Sequence, residues 1–172
     1  MVRIFDVNNG VVIPSEHCLN LKTFKAIIDN YPKDHMKILS YVYYMKAPDP
    51  MNNPFFDVPE SDKEEMIIKE LDIDFSLDEY DINEALALAE KLYETPTYRA
   101  YMGIKKMLDN IADYMGNTTI TDGRDGNLTS IITAGSRFKD LREAFKSTYS
   151  DLVKEQNIEV RGSQTLAYDE DI

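Results

Sequence analysis

The chain has no tryptophan, one cysteine and two histidines among its 172 residues, and each shortage removes a class of chemistry. Cys18 stands alone, so no internal disulfide can form. His17, Cys18 and His35 are too few soft ligands for a tetrahedral zinc site. With so few bases, a Ser-His-Asp or Cys-His arrangement has no candidate. Neither glycine-rich phosphate-loop pattern occurs. Asp72, Asp74 and Ser76 fit the first, third and fifth positions of a calcium loop, but Leu77 stands where that loop needs glycine and Asn83 where it needs glutamate. The 31 acids form many accidental pairs, and no spacing selects one for acid/base work. No catalytic, cofactor-binding or metal residues are therefore expected. No apolar run approaches the length of a membrane-spanning helix, and the N-terminus lacks the pattern of a signal peptide. A soluble intracellular protein is expected.

Charge is what the chain has in excess. There are 31 acidic against 19 basic residues, for a net charge of −12. A surface of that sign repels nucleic-acid phosphates, so no direct, sequence-specific nucleic-acid binding is expected. Twelve of the acids fall between Asp57 and Glu84 against only Lys63 and Lys69, so this span carries nearly all of the imbalance. It is either a solvated face that keeps a helical protein soluble or a docking surface for a basic partner. Outside it the chain is nearly neutral, and Arg137, Lys139, Arg142 and Lys146 share one helix.

Periodicity predicts a mainly α fold: a helical bundle with a long antiparallel C-terminal helix pair and a short N-terminal β-hairpin. In the opening segment, Asn9-Gly10 separates Val2–Val7 from Val11–Ile13, and this pair of residues favours a type I′ hairpin turn. The ribbon, residues 1–13, is expected either to pack on the helical body or to extend a neighbour's sheet. Leu21, Phe24, Ile27 and Ile28 then mark a helix ending before Pro32, and Asp34–Met45 a second, largely buried one. Ser61 and Glu64 have capping-box spacing ahead of a helix running to Leu71. A stripe from Ile82 to Tyr93 follows, and Pro96 opens the next helix. Tyr101, Ile104, Leu108, Ile111 and Met115 are spaced as a heptad seam. So are Ile131, Ala134, Phe138, Leu141, Phe145, Thr148 and Leu152. One helical domain over residues 1–160 and an extended tail over 161–172 are expected.

Two segments have the composition of contact elements. Residues 47–60 hold four of the seven prolines and place Met51, Phe55 and Phe56 in a loop too short for a core of its own. Those side chains fold back on the body or insert into another protein. In the tail, Leu166 and Tyr168 offer the same kind of contact wherever a partner orders them. Eleven tyrosines suit an interface, since each offers apolar area and a hydroxyl at small entropic cost.

Several phrases of the sequence carry a resemblance. Val2-Arg-Ile-Phe-Asp-Val-Asn-Asn-Gly-Val-Val-Ile-Pro-Ser-Glu-His-Cys18, Asn53-Pro-Phe-Phe56, Lys91-Leu-Tyr-Glu-Thr-Pro96, Gly123-Arg-Asp-Gly126 and Arg161-Gly-Ser-Gln with Ala167-Tyr-Asp169 resemble a family of small virion proteins of tailed bacteriophages, notably crAss-like phages of gut bacteria. The resemblance implies a non-enzymatic structural protein, a ring or adaptor subunit at the portal and neck where head meets tail. It implies portal, neck or capsid components as partners, homo-oligomerisation, and a place in the virion after assembly in the host cytoplasm. It transfers no residue-level sites. The competing reading is an acidic adaptor or inhibitor that mimics DNA and occupies a basic partner's groove.

Overall fold

Asn9 and Gly10 both take positive φ, 52° and 79°, as a type I′ turn demands. They close β1 (Phe5–Asn8) onto β2 (Val11–Pro14), with Phe5 opposite Pro14 and Asn8 opposite Val11. The computed structural model describes residues 4–121 and 126–165, with side chains described as far as Gln156. The strands thus begin and end slightly later than the expected ribbon, of which residues 1–3 lie outside the described part. The ribbon packs on its own body. Phe5 meets Phe24 and Tyr43 edge-on at 5.6 and 5.9 Å, and the Tyr44 hydroxyl donates to the Gly10 carbonyl at 3.4 Å.

Seven helices follow among the described residues: α1 (Glu16–Asn20), α2 (Lys22–Asn30), α3 (His35–Lys46), α4 (Glu60–Glu70), α5 (Tyr80–Tyr93), α6 (Pro96–Asn117) and α7 (Leu128–Thr165). Ser15 caps α1 by accepting the Cys18 amide at 3.2 Å. The centre is α3, whose Ile38, Leu39, Tyr41, Val42, Tyr43 and Tyr44 are all buried. Burial on most of its circumference explains its weak amphipathic pattern. Between α4 and α5 the chain has no regular structure. Ile73, Phe75 and Leu77 pack toward the core and the intervening acids face solvent.

The expected capping box does not form. Helix α4 starts at Glu60, ahead of Ser61, and Ser61 donates to Asp62 at 2.8 Å. Glu64 is taken by the Tyr41 hydroxyl at 2.9 Å, a contact across 23 positions that outcompetes the local cap. At the other end Asp72 adopts φ 49°. The Asp72 and Ile73 amides return to Lys69 and Ile68 at 3.4 and 3.1 Å, which completes a Schellman stop with aspartate where glycine is usual.

The chain divides into two compact units, one of Met1–Thr95 with Glu155–Ile172 and one of Pro96–Lys154. In the second unit Tyr101 stacks on Phe145 at 5.1 Å and approaches Tyr149 at 6.1 Å. A Cβ on Gly135 would sit 3.7 Å from Met115. The start of α6 therefore meets the later part of α7 and its end meets the beginning of α7, which makes the pair antiparallel as expected. Among the described residues of this unit only Tyr101 and Leu152 are fully buried; Ile104, Leu108, Ile111, Ile131, Phe138, Leu141 and Phe145 are half-buried. A seam made by two helices has no third layer to close it. Helix α7 runs on to Thr165, so residues 161–165 of the expected extended tail are helical. The remainder of that tail lies outside the described residues.

Candidate functional site

In the first unit, the loop between α3 and α4 is held by two buried polar side chains, Asp49 and Asn53. One carboxylate oxygen of Asp49 accepts the backbone amides of Met51 and Asn52, each at 3.1 Å. The other accepts the Asn52 side-chain amide at 2.9 Å and the Tyr43 hydroxyl at 3.1 Å. Asn53 donates to the carbonyls of Tyr44 and Ala47 at 3.0 and 2.9 Å and accepts the Phe55 amide at 3.0 Å. These bonds satisfy the last carbonyls of α3 and fix a proline-rich segment that has no ladder of its own. Burial and the neighbouring Asp49 carboxylate push the Tyr43 hydroxyl above the ordinary tyrosine range, so it remains a donor.

The staple sorts the expected contact residues. Phe55 is buried against Tyr44, with ring centroids 5.2 Å apart, so it belongs to the protein's own core. Phe56 is half-buried, and Met51 is 69% exposed. Of the three, Met51 is the side chain presented to solvent. Leu166 and Tyr168 lie outside the described residues. Sequence reasoning passed over Asp49 and Asn53, although Asp-Pro-Met-Asn is the composition in which an aspartate side chain bonds to amides just ahead of it.

The acidic span lies outward almost throughout, with eleven of its twelve acids exposed and Asp81 half-buried. Lys63, by contrast, is buried and donates its ammonium to the Met45 carbonyl at 2.9 Å. Of the two lysines in this span, therefore, only Lys69 offers its charge to solvent. The span is anchored from behind. Asn30 donates to Asp81 at 2.7 Å, Lys37 to the Asp72 carbonyl, and Tyr41 to Glu64.

The enclosed pocket beneath the loop, lined by Phe5, Tyr43, Asp49, Tyr93 and Gln156, measures about 10 Å³, which is the scale of one water. In the second unit an open groove of about 380 Å³ runs over Thr129, Ser130, Thr133, Ala134 and Arg137. Its hydroxyls have no base among the lining residues. His17 is exposed on α1, and His35 uses Nδ1 against the Pro32 carbonyl at 3.1 Å. Burial pushes the Cys18 thiol up to about 12, which leaves it protonated and unreactive. Among the described residues no cluster of three or more metal-ligating side chains occurs, and no helix is long and apolar enough to cross a membrane.

Arg137, Lys139, Arg142 and Lys146 are all exposed on α7. Lys139, Arg142 and Lys146 share a side of the helix and Arg137 points away from it. Lys139 lies 4.0 Å from Glu143 in an exposed pair, so the stripe is interrupted rather than a continuous phosphate track.

No protein-family model, no curated protein and no solved structure matches this chain.

Proposed function

We propose that this chain is a non-enzymatic structural protein of a tailed-bacteriophage particle, a ring or adaptor subunit at the portal and neck that binds other virion proteins and further copies of itself. The particle assignment comes from the resemblance of the Val2–Cys18, Asn53–Phe56 and Lys91–Pro96 phrases to small virion proteins. The observation that carries the contact role is the Asp49 and Asn53 staple, which holds an irregular loop in one conformation with Met51 outward. A preordered apolar tip loses little entropy on docking and so suits a protein contact. The cavity behind it is too small for substrate chemistry. Co-expression with the portal and neck proteins of a phage that encodes it, followed by electron microscopy, is the test. The expected result is a ring-shaped multimer seated on the portal, weakened by Met51→Asp. A chain that stays monomeric and binds no particle protein would overturn the proposal.

The exposed acids of residues 57–84, with Lys63 withdrawn into the body, favour one competing reading, an acidic adaptor or inhibitor that fills a basic protein's groove. Capture of a basic partner whose affinity collapses between low and moderate salt would support it over the particle role.

A further inference from the structure

Helix α6 carries an apolar seam stripe and a second, uncharged stripe, and among the described residues only the first is covered. The seam stripe, Tyr101 to Met115, faces α7. A second set, Ala100, Gly103, Met107, Asn110 and Tyr114, repeats at the same three-and-four spacing along the neighbouring flank, and every member is exposed. Met107 is 50% exposed and Tyr114 44%. At about 100° per residue, Lys105, Asp109 and Asp113 fall on the opposite half of the helix, whereas Arg99 and Lys106 border the stripe on its Gly103 and Asn110 side. The members of the second stripe carry no charge over four turns, and its border on one side is basic.

Gly103 is the informative member. Glycine inside a helix is the least favourable choice after proline, and a Cβ added here would meet nothing within 4 Å. Nothing in the chain itself requires the missing side chain. A close neighbour from outside would. The stripe is also graded in size, with small residues at 100 and 103, methionine at 107, and asparagine and tyrosine at 110 and 114. Turned end over end about Met107, it complements itself. Tyr114 of one copy then lies over Ala100 and Gly103 of the other, Asn110 lies beside Gly103, and Met107 meets Met107.

We infer that the exposed stripe of α6 is a two-fold interface with a second copy of this chain, formed by antiparallel pairing of the two α6 helices about Met107. Such an interface is isologous, with each residue pair occurring twice. Charge selects the same occupant. The unit containing α6, Pro96–Lys154, has nine basic and seven acidic residues, whereas the remainder of the chain has ten basic and 24 acidic. Two copies that met through the acidic unit would repel, while the near-neutral unit can meet its own kind. Residues 100–114 span about 21 Å of helix, and a helix pair of that length buries on the order of 1,000 Å² in total, near the lower bound for a specific contact. The pair is therefore reversible. The inference rests on the second unit alone and concerns the free chain, so a ring on the portal neither supports nor refutes it.

Sedimentation velocity of the full chain over a wide concentration range tests it, with a reversible monomer–dimer exchange expected. Gly103→Leu should weaken association by roughly tenfold or more while the monomer's melting midpoint holds or rises, because leucine is the better helix former. Under mild oxidation Met107→Cys chains should link to one another, and Asp109→Cys chains, on the charged half, should not. Mixed Ala100→Cys and Tyr114→Cys chains should link to each other, and neither to itself. A wild-type chain that is monomeric throughout, a dimer that survives Gly103→Leu, or equal cross-linking at 107 and 109 would overturn the interface. Self-linking of Ala100→Cys would overturn the antiparallel pairing.

Discussion

At Asp49, one carboxylate satisfies two backbone amides, a side-chain amide and the Tyr43 hydroxyl. Asp49→Ala leaves those four donors competing for water in a largely buried site, at a cost of about 2–4 kcal/mol. Urea denaturation should show a lower midpoint at unchanged slope, and a midpoint within error of wild type would show that the loop holds without its staple. Cys18 sets a second expectation, in pH. Its thiol is pushed up to about 12 by burial, and burial also raises the Tyr41 and Tyr43 hydroxyls. A folded-state pKa above the unfolded value favours the fold while the group is protonated, so this contribution is whole below about pH 8.5 and drains away as pH climbs toward the folded value. Melting midpoints should fall steadily above pH 9, and less steeply in Cys18→Ala. Equal slopes would remove the thiol from the account. Residue-level features were legible where their cause is local. Asn9-Gly10 declares its own backbone geometry, whereas the Ser61 box was lost to Tyr41, whose approach to Glu64 exists only in the folded chain.

Among the elements, heptad spacing located the α6–α7 seam, because the recurring residues mark the contact face, and the short connection between the two helices gave its antiparallel sense. Depth of burial does not follow from spacing. It depends on how many layers cover the seam, and in this unit two helices leave most of it half-exposed. Tyr101, 1% exposed and flanked by Phe145 and Tyr149, should lose about 3–5 kcal/mol on truncation to alanine. Phe138, half-buried on the same seam, should lose only about 1–2 kcal/mol. The ratio of the two losses, read by calorimetry, checks the assignment, and equal losses would mean that the seam is closed evenly along its length. The end of α7 was misjudged for a related reason. The apolar spacing stops at Leu152, but helix does not require a seam to continue. Glu155 and Gln156 give this stretch tertiary contacts instead, Glu155 accepting from the Thr95 hydroxyl at 3.4 Å and Gln156 donating to the Pro48 carbonyl at 3.3 Å. Partners 60 and 108 positions away leave no periodic trace.

For the whole molecule, the net charge of −12 resolves into two parts of different character. One unit holds ten basic and 24 acidic residues and the other nine and seven. In the first, most of the acids of residues 57–84 face solvent and Lys63 is spent internally on the Met45 carbonyl. Exposed pairs such as Lys46 with Glu90, at 2.7 Å, offset little of this, because surface ion pairs contribute at most about 1 kcal/mol. The fold of that unit is consequently held against its own repulsion by the aromatic core around α3, and the repulsion is long-ranged enough for ordinary salt to screen, since the Debye length is about 10 Å at 0.1 M. Raising sodium chloride from about 0.02 to 0.3 M should lift the melting midpoint by about 2–4 °C, equivalent to roughly 1 kcal/mol for a chain of this size. Separate excision of charge distinguishes the cause. A variant with Glu60, Glu65 and Glu70 replaced by glutamine should melt higher at low salt and respond less to its addition, whereas Asp140→Asn in the near-neutral unit should leave the salt response as it was. A wild-type midpoint indifferent to salt would mean that the acids are compensated within the fold, and the acidic span would then have to be understood as structure rather than as a surface kept open for a partner.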